Sequence, residues 1–328
     1  MNRADVSSQV TGPGQSIPWF QNHLTSRAHP IILGSKLARE IEFTNEFARS
    51  MRGDRASARN LEELLERFMR AAGMDALTKS LHRAHGAGYA VPDDRLRGLV
   101  RSNPNPFVAA ENQRERNKAW ELFVAAQMAQ IGKVEHDERC DLVAQIQDKR
   151  VAIAAKVPYS GNDEQVWKCL LDGVEQAARL EDVDADLVVA NYVQRLDDRA
   201  TIFRRSHQMG FRFSDQEIAS EWAQQAAIEI CECRELRNAL TRIERWTREG
   251  KRPKRPVGVV FFMPVVVSVE GGMMLFAYPH MPITSEHLDF EVVTRLCEVL
   301  SDVLKPVNGG HVQRDVAEPV SEVGASNA

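Results

Sequence analysis

Residues 140–158 read CDLVAQIQDKRVAIAAKVP. Two β-rich apolar runs, Cys140–Ile146 and Arg150–Val157, flank Gln147-Asp148 and predict a hairpin. In that register Asp141 faces Ala154, Leu142 faces Ile153 and Ala144 faces Val151. Strand side chains alternate between faces, so positions 154 and 156 project to the same side. Asp141, Ala154 and Lys156 then share one small patch. Gln-Asp is not a favoured two-residue turn, and a longer turn would shift the pairing.

Working outward, a long helix is expected upstream, from about Phe107 to Ile131, closed by Gly132. It carries Glu121 on the same face as Val124 and Met128, where a carboxylate needs an explanation. Downstream, a helix over about Asp163–Leu180 carries Gln176, and Leu187–Val193 reads as a strand. Ser214-Asp-Gln-Glu217 is a capping box opening a helix to about Trp246. Val257–Val269 and Met273–Tyr278 read as two strands joined around Gly271-Gly272, followed by a helix over Ser285–Leu304. From 107 onward the order is helix, strand, strand, helix, strand, helix, strand, strand, helix. This predicts an α/β (α+β) fold with a mixed sheet flanked by helices.

The expected divisions are a poorly ordered segment 1–35, a helical segment 36–103, the sheet domain 104–305 and a mobile tail 306–328. In the helical segment Asn60 caps a run with Leu61, Leu64, Leu65, Phe68, Met69 and Ala72 at helical spacing, and Gly73 suits a stop. A second helix runs from about Asp75 to Gly86, and Asn103-Pro-Asn-Pro106 marks the boundary. Composition sets the limits. The chain has 328 residues, 43% hydrophobic and 27% charged, with a formal net charge of −4. This excludes a collagen, a disulfide scaffold, an acidic disordered chain and a protein that coats nucleic acid by bulk charge. Five scattered cysteines fit a reducing compartment. The N-terminus lacks the apolar core of a signal peptide, and no window reaches the roughly 20 apolar residues of a membrane span. A cytoplasmic protein with no membrane contact is expected.

A carboxylate patch beside a lysine suits metal-dependent phosphodiester hydrolysis. Carboxylates hold a hard divalent cation through oxygen, and a lysine stabilises developing negative charge. At these residues the chain resembles the PD-(D/E)XK nuclease superfamily, whose signature is an Asp opening one strand and (Asp/Glu)-x-Lys on the next. Asp141 matches the Asp and Lys156 the Lys. Glu121 matches a carboxylate often found on the preceding helix, and Gln176 a Gln found on the following one. The resemblance covers roughly residues 107–195. It implies a restriction-endonuclease-like sheet, Mg²⁺ or Mn²⁺ held by Asp141, residue 154 and Glu121, assistance from Lys156 and Gln176, and DNA as substrate. The implied setting is bacterial restriction, repair or anti-phage defence.

The departure is Ala154, where the family has Glu or Asp, because a methyl group cannot bind metal. Three explanations stay open: a Glu replaced to silence a nuclease, a natural pseudo-nuclease, or a ligand moved to the next helix. The residues at that last distance are Cys169 and Leu170, with Asp172 and Glu175 further on. The chain is therefore expected to be a Mg²⁺-dependent DNA endonuclease inactivated at position 154. The alternatives are a pseudo-nuclease that binds nucleic acid and an interaction subunit of a larger defence or repair complex. A plain Asp–Lys ion pair between neighbouring strands is the bland reading.

Residues 242–255 hold seven basic and two acidic residues. Arg245, Lys251, Arg252, Lys254 and Arg255 are candidate phosphate contacts, and Trp246 a candidate stacking partner; a solvated helix terminus explains the same run. Arg204, Arg205 and His207 form a smaller basic cluster. His82 and His85 are spaced to share a metal, with no third ligand visible nearby. Cys231 and Cys233 point in different directions on a helix and make a weak metal pair. The apolar faces of 36–103 suit packing on the sheet domain, a second copy or a partner subunit.

Overall fold

The computed structural model describes residues 16–50, 61–102, 104–107, 113–146, 148–158, 163–191, 202–203, 241–242, 245–246, 248–251, 255, 257–262, 265–269, 273–277 and 280–284. Asn60, Cys231, Cys233, Cys297, Arg252, Lys254, the Arg204–Arg205–His207 cluster, the capping box at Ser214, the Gly271-Gly272 turn, the expected helix over 285–304 and the tail lie outside these residues.

Six helices are described: α1 (Ile17–Ser26), α2 (Lys36–Ser50), α3 (Leu61–Gly86), α4 (Asp93–Arg101), α5 (Gln113–Met128) and α6 (Asp163–Ala177). The strands are β1 (Gly132–Asp137), β2 (Asp141–Ile146), β3 (Lys149–Lys156), β4 (Ala185–Asn191), β5 (Ile202–Phe203), β6 (Val257–Phe262), β7 (Val265–Val269), β8 (Met273–Ala277) and β9 (His280–Thr284). The main sheet has the order β1-β2-β3-β4-β6-β9. β1, β2 and β3 form an antiparallel meander, β3, β4 and β6 run parallel, and β9 returns antiparallel. The expected α/β architecture with a mixed sheet is therefore present. The β2–β3 register pairs Leu142 with Ile153 and Ala144 with Val151, as the hairpin reading has it.

A parallel β3–β4 pair needs a crossover, and α6 supplies it. The two sheet faces are covered differently. Leu142, Ala144, Val151, Ile153, Ala155, Leu187 and Val189 join one continuous core with residues of α1 to α5. Positions 152, 154, 156 and 188 lie on the other face by alternation. There Gly173 of α6 lies so close that a Cβ on it would stand 3.0 Å from Val188 and 3.1 Å from Lys156. Small residues at this crossing let the helix settle onto the strands that carry Ala154 and Lys156.

Four local expectations are corrected. Part of the segment expected to be poorly ordered is α1, anchored by fully buried Ile17, Phe20 and Leu24. Those residues recur at helical spacing, and Pro18 suits a first turn. Gly73 does not stop a helix, since α3 runs through it. A Cβ there would lie 2.2 Å from the Asn105 Oδ1 and 2.7 Å from Phe107, so the glycine serves close approach. β1 is an addition to the expected strands, hidden in the sequence because Gly132 reads as a helix stop. Gly132 instead lets β1 lie against β2, where a Cβ would meet the Gln145 carbonyl oxygen at 2.0 Å. Finally, the apolar run 257–269 forms two strands, β6 and β7, rather than one. Its first half enters the main sheet and its second half pairs with β8 in a separate three-stranded sheet.

The Asn103–Pro106 break is closely tied where it is described. Asn105 is buried and donates to Glu40 Oε2 and to the Arg70 carbonyl, and its own Oδ1 accepts from Phe107 N–H. Asn191, at the end of β4, donates to the Pro106 carbonyl at 2.7 Å. The helical segment and the sheet therefore share one core, which described buried side chains of α2, α3 and α4 join.

Candidate functional site

The sheet topology brings Asp141, Lys156 and Gln176 together. Asp141 opens β2 with φ +56°, left-handed backbone that is uncommon for a non-glycine residue and that Asp tolerates better than most. β2–β3 pairing stops at Ile153, so the Ala155 N–H has no strand partner on that side. The Asp141 Oδ2 takes it at 2.9 Å. The Asp141 Oδ1 accepts from Gln176 Nε2 at 2.8 Å, and Gln176 Oε1 accepts from Lys156 Nζ. Because an ammonium only donates and a carboxylate only accepts, the Gln176 amide has a single consistent orientation between them.

Burial raises the Asp141 carboxyl above its ordinary range, and the nearby Glu121 charge adds to this. Lys156, the Ala155 N–H and Gln176 act in the opposite sense without cancelling it. Cys140 and Cys169 flank the site as free thiols. Burial pushes the Cys140 thiol up to about 12 and that of Cys169 up to about 11, so both are protonated and unreactive at neutral pH.

Ala154 is fully buried one pleat from Lys156 on the same face and contributes no polar atom. Glu121 is reached from the other side of the sheet. Its carboxylate accepts from Arg95 at 3.2 Å and meets His136 Nδ1 at 3.0 Å, while His136 Nε2 meets the Tyr89 hydroxyl at 2.7 Å. This clamp explains a carboxylate on an apolar helix face without a metal. Nothing in the sequence singles out His136, Arg95 or Tyr89. No motif links them, and His136 sits on the strand that the helix reading hides.

The residues present do not fit a Mg²⁺ ion as they stand. Asp141 is the one carboxylate among the described residues on the patch shared with Lys156, both its oxygens are engaged by protein donors, and position 154 offers a methyl group. Among the described residues no group of three or more His, Cys, Asp or Glu comes together to hold a metal. Cys169 is half-buried on α6 beside Lys156, Leu170 is buried, and Asp172 and Glu175 are exposed, so a carboxylate has not moved to the expected place on α6.

The basic segment is divided. Arg255 is not an open phosphate contact: its side chain is buried and bonds Asp186 from Nε at 2.9 Å and from Nη2 at 2.8 Å. It also caps the carbonyls of Ala177 and Glu181. Arg245 and Lys251 are exposed and share Glu249. Trp246 lies half-buried, with the Arg242 guanidinium 5.9 Å from its ring. His82 and His85 are grouped with His23 around Trp19. Among the described residues no helix is long and apolar enough to cross a membrane.

Comparison with known proteins yields no matching family model, no matching curated protein and no matching solved structure.

Proposed function

We propose that this chain is a nuclease-fold protein of the PD-(D/E)XK kind, cytoplasmic and directed at DNA in restriction or anti-phage defence, whose cleaving form carries a carboxylate at position 154. The observation that carries this reading is the Asp141–Gln176–Lys156 chain. It joins an Asp opening one strand, a Lys ending the next and a Gln on the following helix. The order helix, three antiparallel strands, helix, parallel strand supports it further. A Mg²⁺ ion belongs to the cleaving form only. With Ala154 the donor set is short by one carboxylate, and the chain as it stands does not cut.

The chain's own residues have definite tasks here. Lys156 supplies a fixed positive charge for a phosphate oxygen. Gln176 holds that ammonium in place, and Asp141 fixes the Gln176 amide. The test is plasmid cleavage with Mg²⁺ or Mn²⁺ by the chain, by Ala154→Glu and by Ala154→Glu/Lys156→Ala, each checked for folding by circular dichroism. Cutting by the single variant and its loss in the double is the expected result. A folded Ala154→Glu protein that binds DNA and leaves it intact overturns the reading.

A second reading, a pseudo-nuclease that binds nucleic acid, is favoured by one observation. Both Asp141 oxygens are satisfied by protein donors, so the site closes on itself. It predicts DNA binding that survives chelation of divalent cations.

A further inference from the structure

Trp19 on α1 is surrounded by three imidazoles. His23, one turn along α1, stacks on it at 5.0 Å between ring centroids. His82 of α3 stacks on it at 4.4 Å, and His85 of α3 tilts against it at 5.6 Å. His23 and His85 are themselves 5.0 Å apart. The cluster spans the junction of α1 with α3, and His82 and His85 are exposed to solvent. We propose that the Trp19–His23–His82–His85 cluster is an acid-sensitive latch, which holds α1 on α3 while His23 and His82 are neutral and loosens it when they are protonated.

The charges around the cluster favour this. From α1 and its end come His23 and Arg27; from α3 come His82, Arg83 and His85. The acidic groups in this neighbourhood already have partners. Asp93 bonds Arg27 at 2.6 Å and lies 3.6 Å from His29, and Asp75 pairs with Lys79 one turn before Arg83. An added proton on His23 therefore meets Arg27 and His85, and one on His82 meets Arg83 and His85. Helix C-termini favour cations, and His23, His82 and His85 all lie near one. Partial desolvation against Trp19 and mutual repulsion outweigh that: His23 and His82, though partly open to solvent, are both held below the ordinary imidazole value, with this desolvation first and His85 next among the causes.

The sign follows. Groups whose proton affinity is lowered by folding contribute stability that is full above the unfolded value near 6.5 and is lost as pH falls. The loss is local, because the cluster joins α1 to α3 alone and none of its rings belongs to the sheet. Loosening α1 exposes the apolar face of Ile17, Phe20 and Leu24.

The test is amide hydrogen exchange on the full chain at pH 7.5 and 5.0, corrected for intrinsic rates. The expected result is that α1 amides lose protection several-fold at pH 5.0 relative to pH 7.5. Amides of β3 and β4 should hold theirs. His82→Gln/His85→Gln should remove most of the difference, and His85→Gln alone should remove part of it. Trp19 emission, isolated by difference from Trp19→Phe, should follow the same pH curve. Protection of α1 that falls in step with β3 and β4, or that falls equally in the glutamine variants, overturns the proposal.

Discussion

Gln176 reaches back 35 residues to Asp141, donating from Nε2 to Oδ1 at 2.8 Å while its Oε1 holds the Lys156 ammonium. The two charged groups meet through this amide. Gln176→Ala should leave a buried carboxylate short of one donor and an ammonium short of its acceptor. The expected loss is about 1–3 kcal/mol in urea unfolding. Gln176→Glu should keep the Lys156 contact and turn the Asp141 contact into a repulsion. It should therefore be the less stable of the two at pH 7 and recover ground in acid.

The Asp141 carboxyl gives a pH dependence of its own. Burial raises its proton affinity in the folded chain. Its contribution to stability is then full below the ordinary carboxylate value near pH 4 and is lost as pH rises through its folded-state value. Asp141→Asn has no such proton to lose. In metal-free buffer the stability difference between the two proteins should move in favour of Asp141→Asn from about pH 4 to pH 7. Denaturant midpoints across that range measure it, and a difference that is flat or runs the other way contradicts the assignment.

Gly73 tests why α3 runs unbroken. In an isolated helix alanine is favoured over glycine by about 1 kcal/mol. Here the added methyl would meet the Asn105 amide at 2.2 Å. Asn105 cannot step aside freely, because it serves Glu40, the Arg70 carbonyl and the Phe107 N–H at once. Gly73→Ala should therefore destabilise by about 2–3 kcal/mol, overpacking and lost hydrogen bonds together outweighing propensity. Asn105→Ala should lower the penalty of a subsequent Gly73→Ala, which a double-mutant cycle would read directly.

The same glycine shows what one amino-acid sequence can disclose. Alternation and turn placement are local properties of residues 140–158, so the sequence alone carries the Leu142–Ile153 register and the meeting of Asp141 with Lys156. Gln176 is placed just as directly, because its helix follows β3. Gly73 and Gly132 mislead for one reason: a glycine needed for close approach looks like one that ends a helix, and only the distant Asn105 or Gln145 distinguishes them. The clamp on Glu121 is hidden likewise. His136, Arg95 and Tyr89 converge through tertiary packing, and the apolar pattern of α5 marks Glu121 as odd without naming its partners. In the run 257–269 the change of sheet depends on which strands are free to pair, which the run itself does not encode.

Arg255 and the exposed basic residues should separate cleanly. Asp186 is 1% exposed and pairs with Arg255. Arg255→Ala leaves that carboxylate buried without its guanidinium and should cost about 3–5 kcal/mol. Arg245→Ala or Lys251→Ala breaks a solvent-screened pair with Glu249 and should leave stability almost unchanged. If the chain binds DNA through this face, the latter two should reduce the dependence of affinity on salt. Adding Asp186→Asn to Arg255→Ala should restore part of the lost stability, since the buried charge is then gone.

Glu121 offers the sharpest separation between a metal ligand and a structural anchor. In the PD-(D/E)XK reading a carboxylate on this helix belongs with the cation. The chain instead engages it with Arg95 at 3.2 Å and His136 at 3.0 Å, and His136 is fixed in turn by Tyr89. If these contacts are its task, Glu121→Gln should act first on stability. The neutral amide keeps one acceptor oxygen and loses the charge that holds Arg95. A loss of about 1–3 kcal/mol is expected in urea unfolding. Tyr89→Phe should cost about 1 kcal/mol by removing one hydrogen bond to His136. In an Ala154→Glu protein that cuts, Glu121→Gln should then leave most of the cleavage rate below its unfolding temperature, whereas Asp141→Asn should abolish it. A Glu121→Gln protein of unchanged stability with cleavage lost as completely as in Asp141→Asn would instead make Glu121 a ligand that the Arg95–His136 clamp releases.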